Sequence, residues 1–272
     1  MHADAYANEG LPARVAYDFL ADTYDDRALP RTVKLADVLH RSGLLEGALV
    51  LDLGVGTGLL WGCLDSIHGP ARIVGVDSSS GMLMRARSRR NPRLDLVRAD
   101  FAQLPFAIQT FDVILLSFSA RHSPELTPML ARAVTRLVGN GHVVLMEYSG
   151  ETQLALAGAV MRCYSLLVEA KERPAEVATS YFSACPDDVL LSAATAAGLR
   201  IKELDYVCLV EAAGCESVVD FVVNSPPVAF DLIRYGRSTH DRVRSRLLAD
   251  HILPGQIASK ILICVMDRPD GG

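Results

Sequence analysis

Val50-Leu51-Asp52-Leu53-Gly54-Val55-Gly56-Thr57-Gly58 is the stretch that decides the fold of this chain. An apolar run of strand character contains an acidic residue near its end, glycine then stands at every second position, and a helical pattern follows. Glycine is needed where the backbone turns sharply or where a ligand approaches the main chain, because a Cβ would collide with one or the other. A helix entered from such a turn begins with amide N–H groups that have no intrahelical partner. The stretch therefore reads as a ligand cradle between a strand and a helix. A nicotinamide-type GxGxxG fingerprint would need its third glycine at position 59, where Leu59 stands.

Two further strand ends carry acids. Val74-Gly75-Val76-Asp77 closes a second apolar run about twenty residues beyond the glycines, where a carboxylate can accept both hydroxyls of a ribose. Asp77 also suits an N-cap for the helix starting near Gly81. Arg98-Ala99-Asp100-Phe101 places a third acid at the next strand-to-helix junction. Acids at the carboxyl ends of three successive parallel strands converge on one crevice, which is where open α/β sheets bind ligands.

Short apolar runs alternate with longer helical patterns along the chain, the rhythm of parallel βαβ units. Strands are expected near Ala48–Leu53, Arg72–Asp77, Leu94–Arg98, Asp112–Ser117 and Gly141–Glu147, with two late strands at Arg200–Val210 and Ile257–Met266. Leu126, Met129, Leu130, Ala133, Val134 and Leu137 recur at helical spacing, and Gly139 and Gly141 are expected to end that helix and start the next strand. Arg14 to Ser42 reads as two helical pieces broken near Pro30, a lid across the sheet's carboxyl edge. Gln153 to Arg173 and Pro186 to Ala197 read as further helices, the second stopped by Gly198. The late strands are expected to form a hairpin whose connection is swollen into a cap.

The 272 residues suit one large α/β domain, with residues 1–46 as a helical N-terminal lid, 47–148 as the binding core and 149–272 as the rest of the sheet with helical cap insertions. A net charge of −5 gives no general attraction to nucleic acid or anionic lipid, so neither is expected as a partner. The basic run Arg85, Arg87, Arg89, Arg90 and Arg93 reads as a solvated helix face. Six scattered cysteines without zinc spacing read as reduced, mostly buried thiols, and no metal site is expected. Met1 to Gly10 has no basic segment followed by an apolar one, and no apolar run approaches the roughly 18 residues a bilayer span needs, so a cytoplasmic location is expected.

The run from Asp52 to Gly58, the phrase Gly75-Val76-Asp77-Ser78-Ser79-Ser80-Gly81-Met82-Leu83, the pair Asp100-Phe101 and the strand Phe111-Asp112-Val113-Ile114-Leu115-Leu116-Ser117-Phe118 resemble the motifs of class I S-adenosylmethionine-dependent methyltransferases. The wording is most similar to the ubiquinone/menaquinone-biosynthesis-like small-molecule branch, as is Tyr17-Asp18-Phe19-Leu20-Ala21-Asp22-Thr23-Tyr24-Asp25. The resemblance implies a three-layer, Rossmann-like, seven-stranded sheet, mostly parallel with an antiparallel last strand. It also implies S-adenosyl-L-methionine as cofactor. Asp52, Gly54, Gly56 and Gly58 would lie at its methionine portion, Asp77 on the ribose, Met82 against the adenine and Asp100 at the adenine amino group. Ser78, Phe101 and Ser117 would join them, and Tyr24 would close over the cofactor. Where many relatives carry Ala-Leu-His-His after the fourth strand, this chain has Ser119-Ala120-Arg121-His122, a departure that bears on the acceptor more than on the cofactor.

The expected reaction is O-, N- or C-methylation of a small apolar or aromatic metabolite, with His122 as leading general base and Glu147 and Tyr148 as the other catalytic candidates. Two readings compete with it: a non-methylating reaction using the same cofactor, and a non-catalytic cofactor-binding partner protein. The apolar stretches around Phe182, Phe221 and Phe230, with Val222, Val223 and Val228, suit an apolar acceptor held under a cap and equally suit ordinary core or the face of a homodimer, of which core is the favoured reading.

Overall fold

The apolar runs found above stack into a single sheet in the computed structural model, which describes residues 13–64, 69–101, 103–123, 125–169, 186–225, 228–229, 235–251 and 253–269. Its strands are β1 (Leu49–Leu53), β2 (Arg72–Asp77), β3 (Leu94–Arg98), β4 (Phe111–Ser117), β5 (Leu137–Tyr148), β6 (Arg200–Ala213) and β7 (Gln256–Asp267). They lie in the order β3-β2-β1-β4-β5-β7-β6, with β7 antiparallel to both neighbours and the other pairings parallel. The chain runs outward from β1 to β3 and then returns to place β4 on β1's other side. That reversal opens a crevice at the carboxyl ends of β1 and β4.

Alternation along the strands assigns the two faces. Leu51, Leu53, Ile114, Leu116, Val143 and Leu145 face α5 (Leu126–Val134) and α7 (Asp187–Ala196). Val50, Val113, Leu115, Val144 and Met146 face α2 (Tyr24–Ser42) and α3 (Leu59–Cys63). Burial on both faces explains why these strands read as continuous apolar runs. The remaining helices are α1 (Ala13–Leu20), α4 (Ser80–Ser88), α6 (Gly150–Glu169), α8 (Cys215–Val223) and α9 (Arg237–Asp250). A satellite core joins α6, α8 and α9, where Val218, Val219, Phe221, Val222, Val223 and Val228 are buried, so the swollen β6–β7 connection is a packed cap. Phe182, Phe230 and the Arg173 end of the expected helix lie outside the described residues.

Three sequence readings change. The N-terminal helices part at Ala21–Thr23, and Pro30 sits inside an unbroken α2. The donor that Pro30 lacks would have met the carbonyl of exposed Asp26, which water can satisfy. Gly139 and Gly141 do not punctuate a helix; β5 already begins at Leu137 and shifts register against β4 between Phe111 and Val113. A Cβ on Gly141 would stand 2.7 Å from the Asp112 carbonyl, so close strand approach accounts for that glycine. Among the described cysteines, Cys163 and Cys264 are buried while Cys208 and Cys215 are exposed, fewer buried than expected.

Candidate active site

The crevice holds a cavity of about 820 Å³. Gly54, Gly56, Asp77, Ser78, Met82, Asp100, Phe101, Ser117 and His122, all singled out from sequence, lie on its wall together with Tyr24. Gly54 and Gly56 have φ of +88° and +57°, left-handed conformations that disfavour a side chain. A Cβ on Gly54 would overlap Ser119, whose hydroxyl donates to the Leu53 carbonyl and ties the loop after β4 to the glycine turn. Gly58 lies off this wall; it has φ +69°, caps α3 and lets Ala86 of α4 approach.

Asp77 organises the floor. Its Oδ2 accepts from the Gly56 N–H at 2.9 Å and its Oδ1 from the Ser79 N–H at 2.9 Å. Desolvation raises its pKa, against the lowering effect of those N–H groups. A carboxylate has about four acceptor sites, so the acid can still accept from a ligand on the cavity side. The expected N-cap is instead Ser79, whose Oγ accepts from the Met82 N–H.

Asp52 sits behind the turn. Trp61 Nε1–H donates to its Oδ2 at 2.6 Å, while Oδ1 is buried without a hydrogen-bond partner. It borders a small cavity of about 50 Å³ shared with Gly54, Gly56, Tyr24 and Ser117. Burial pushes its pKa up to about 7, with the Trp61 hydrogen bond opposing and the Asp77 charge adding to the rise.

The N-terminal helices close the cavity, held by two carboxylates. Asp18 Oδ1 accepts from the Gly81 N–H at 2.7 Å and from the Ser79 hydroxyl at 2.6 Å, an anion at the start of α4. Asp25 accepts from the Thr57 hydroxyl in the glycine turn and from Arg89, whose Nε also donates to the Thr57 carbonyl. Arg89 is thus a clamp on the lid and not a member of a merely solvated basic face. This docking brings Tyr17 and Tyr24 over the cavity.

Beyond Tyr17, Tyr24, Phe118 and His122 lies an inner chamber of about 80 Å³, and those four residues wall both spaces. The Tyr17 hydroxyl is 3.0 Å from His122 Nε2. Burial, with the adjacent Arg121 charge, lowers the His122 pKa to about 4, so the ring is neutral. Phe118 is held at φ +54°, an uncommon conformation for a bulky residue, with its ring under the Arg31 guanidinium and against Tyr148.

Glu147 and Tyr148 lie at the end of β5 on the chamber wall, each already engaged. Glu147 pairs with Arg121 at 2.7 Å, while its Oε1 has no hydrogen-bond partner. Tyr148 donates to Glu211 at 2.8 Å, and Glu211 faces buried Arg31 at 3.7 Å. Desolvation raises the Tyr148 pKa, keeping the phenol protonated. Sequence reasoning missed Asp18, Asp25, Arg31, Arg89, Arg121 and Glu211. Asp18 and Asp25 fall in the N-terminal segment quoted above, but nothing local announces their partners.

A seven-stranded sheet of this order, with a glycine turn and strand-end acids at its switch point, defines a Rossmann-like methyltransferase architecture. A family model for a methyltransferase domain matches residues 50–141. The ubiquinone/menaquinone biosynthesis C-methyltransferase UbiE of Syntrophotalea carbinolica is 31% identical over 166 residues, 57% of this chain and 69% of that relative. The demethylmenaquinone methyltransferase of Thermobifida fusca is 31% identical over 144 residues, 49% of this chain and 59% of that relative. A putative methyltransferase from Bacillus halodurans C-125 shares the fold, with a TM-score of 0.59 at 15% identity over 86% of this chain and 98% of that one. The chain belongs to the class I S-adenosylmethionine-dependent methyltransferases, in the ubiquinone/menaquinone-biosynthesis-like branch, and is an enzyme of that class. No helix among the described residues is long and apolar enough to cross a membrane.

Proposed function

We propose that the chain methylates a small apolar or aromatic metabolite that enters the inner chamber and meets the cofactor where Tyr17, Tyr24, Phe118 and His122 wall both spaces. That shared wall is the observation that carries the reading. The residues present fit S-adenosylmethionine. Gly54 and Gly56 leave room at the turn, Asp77 offers two acceptor oxygens for a ribose, and Met82 and Phe101 give apolar surface for an adenine beside Asp100. Ser78 and Ser117 complete the wall, and Asp52, with Oδ1 free, suits the cationic methionine end. When bound, this cofactor supplies a methyl group on a positively charged sulfur.

The chain's own residues then align the acceptor, exclude water and manage one proton. The proton released by a neutral phenol or enol passes to Tyr17 Oη as the Tyr17 proton passes to His122 Nε2. His122 is available at neutral pH because it is uncharged there. Glu147 and Tyr148 serve this reading as chamber walls, since Arg121 and Glu211 hold them. The names of the two relatives, a C-methyltransferase of ubiquinone/menaquinone biosynthesis and a demethylmenaquinone methyltransferase, support an aromatic ring acceptor. The test is incubation with methyl-labelled cofactor and a panel of quinols, phenols and enols. Labelled product with equimolar S-adenosylhomocysteine supports the reading, and consumption of an acceptor without label transfer refutes it.

A further inference from the structure

The inner chamber has charges as well as apolar walls. Three arginines line it, Arg27, Arg31 and Arg121. Two are matched by buried carboxylates: Arg31 by Glu211 at 3.7 Å and Arg121 by Glu147 at 2.7 Å. Arg27 has no carboxylate within ion-pair distance among the described residues, and its guanidinium lies over the Phe221 ring at 5.1 Å. One positive charge on the wall is therefore uncompensated. Arg27 is part-buried, so water screens that charge less than it would at the surface.

A second observation points to a ligand at the same place. Ser225 is buried on the chamber wall, its Oγ without a hydrogen-bond partner, two residues past the end of α8, which carries Phe221. A buried hydroxyl left unmatched is destabilising unless something fills it. Leu156, Val160 and Val222 supply apolar surface beside it. An uncompensated guanidinium, an unused hydroxyl and an apolar wall match the anionic and apolar parts of one small molecule.

We propose that the chamber selects an acceptor bearing an anionic oxygen group, and that Arg27, seconded by Ser225, is the specificity-determining residue that takes it. The proposal rests on the reading of the chamber as the acceptor site. It places the anionic group at the Phe221 end and the reacting atom at the Tyr17–His122 end. The groove of about 690 Å³ on the outer side of Arg27 argues the other way, because it carries Asp26, Glu216 and Asp220, and Arg244 pairs only with the last two. A cationic acceptor drawn to those acids is the competing outcome.

The test uses the whole chain saturated with S-adenosylhomocysteine, with benzoate, benzamide and benzylamine titrated by ligand-observed NMR. These probes share a ring and differ in charge. Benzoate is expected to bind roughly tenfold tighter than benzamide, with benzylamine weakest. Arg27→Gln should erase the preference and Arg27→Lys should keep part of it. Equal binding, a preference for benzylamine, no benzoate binding at millimolar concentration, or a preference that survives Arg27→Gln overturns the proposal. Failure to bind S-adenosylhomocysteine at the outset would instead overturn the cofactor reading on which the site rests.

Discussion

The Tyr17 hydroxyl and His122 Nε2, 3.0 Å apart, join the N-terminal helices to the loop after β4 where the crevice cavity meets the inner chamber. Removing either group should interrupt proton transfer without emptying the cofactor site. His122→Ala is expected to lower kcat for a neutral phenolic acceptor about a hundredfold, within the usual range for general acid–base groups. Tyr17→Phe should act in the same direction. S-adenosylhomocysteine affinity, measured by calorimetry, should stay within about threefold, well under the tenfold that 1.4 kcal/mol represents. Because the ring is neutral above pH of about 4, neither variant's loss should depend on pH between 6 and 8.

Asp77→Asn removes a charge and one acceptor oxygen from the centre of the site. The loss should weaken S-adenosylhomocysteine binding by about 1.5–3 kcal/mol, roughly tenfold or more. Part of that loss is indirect, since Asp77 also receives the Gly56 and Ser79 N–H groups. Unchanged calorimetric affinity would remove Asp77 from the ribose assignment.

Asp52 should give the site a pH dependence of known sign. Its pKa in the folded chain is about 7, above the ordinary value near 3.8, so folding favours its protonated form. Its contribution to the stability of the cofactor-free protein is complete below the ordinary value and is lost as pH rises to 7. Cofactor binding should run the opposite way, because a cationic amino group pairs only with the ionised form. Affinity for S-adenosylhomocysteine is expected to rise between pH 6 and pH 8, and Asp52→Asn should flatten the profile. A flat wild-type profile would place the amino group elsewhere.

The Asp25–Arg89 clamp should govern how firmly the lid covers the cofactor. Both side chains are about one-quarter exposed, and Asp25 also receives the Thr57 hydroxyl. Arg89→Ala should cost on the order of 1 kcal/mol, appearing as several-fold faster S-adenosylhomocysteine dissociation and faster amide exchange in residues 14–30. Stopped-flow and exchange measurements showing no change would leave Arg89 as a surface residue.

What the sequence disclosed is what neighbouring residues determine. β2 and β3 ended where their acid and arginine termini suggested, at Asp77 and Arg98, because each is a short local apolar run, although β3, at the sheet edge, is only half-buried. The glycine turn was legible for the same reason, as were the strand-end acids Asp77 and Asp100. Pro30 misled because helix breaking depends on whether water can reach the orphaned carbonyl, which sequence alone does not reveal. The pairs Arg31–Glu211, Arg121–Glu147 and Tyr17–His122 join residues far apart in the chain, and their meeting is fixed by sheet order. The neutral state of His122 follows from that burial and could not be read from its flanking residues.

The most direct measurement is a crystal structure of the full chain with S-adenosylhomocysteine. The ribose hydroxyls should meet Asp77, the adenine should lie between Met82 and Phe101, and the sulfur should face Tyr17, Phe118 and His122 at the mouth of the inner chamber. Cofactor bound with its sulfur turned away from that mouth, or outside the cavity closed by α1 and α2, would contradict the assignment of both spaces.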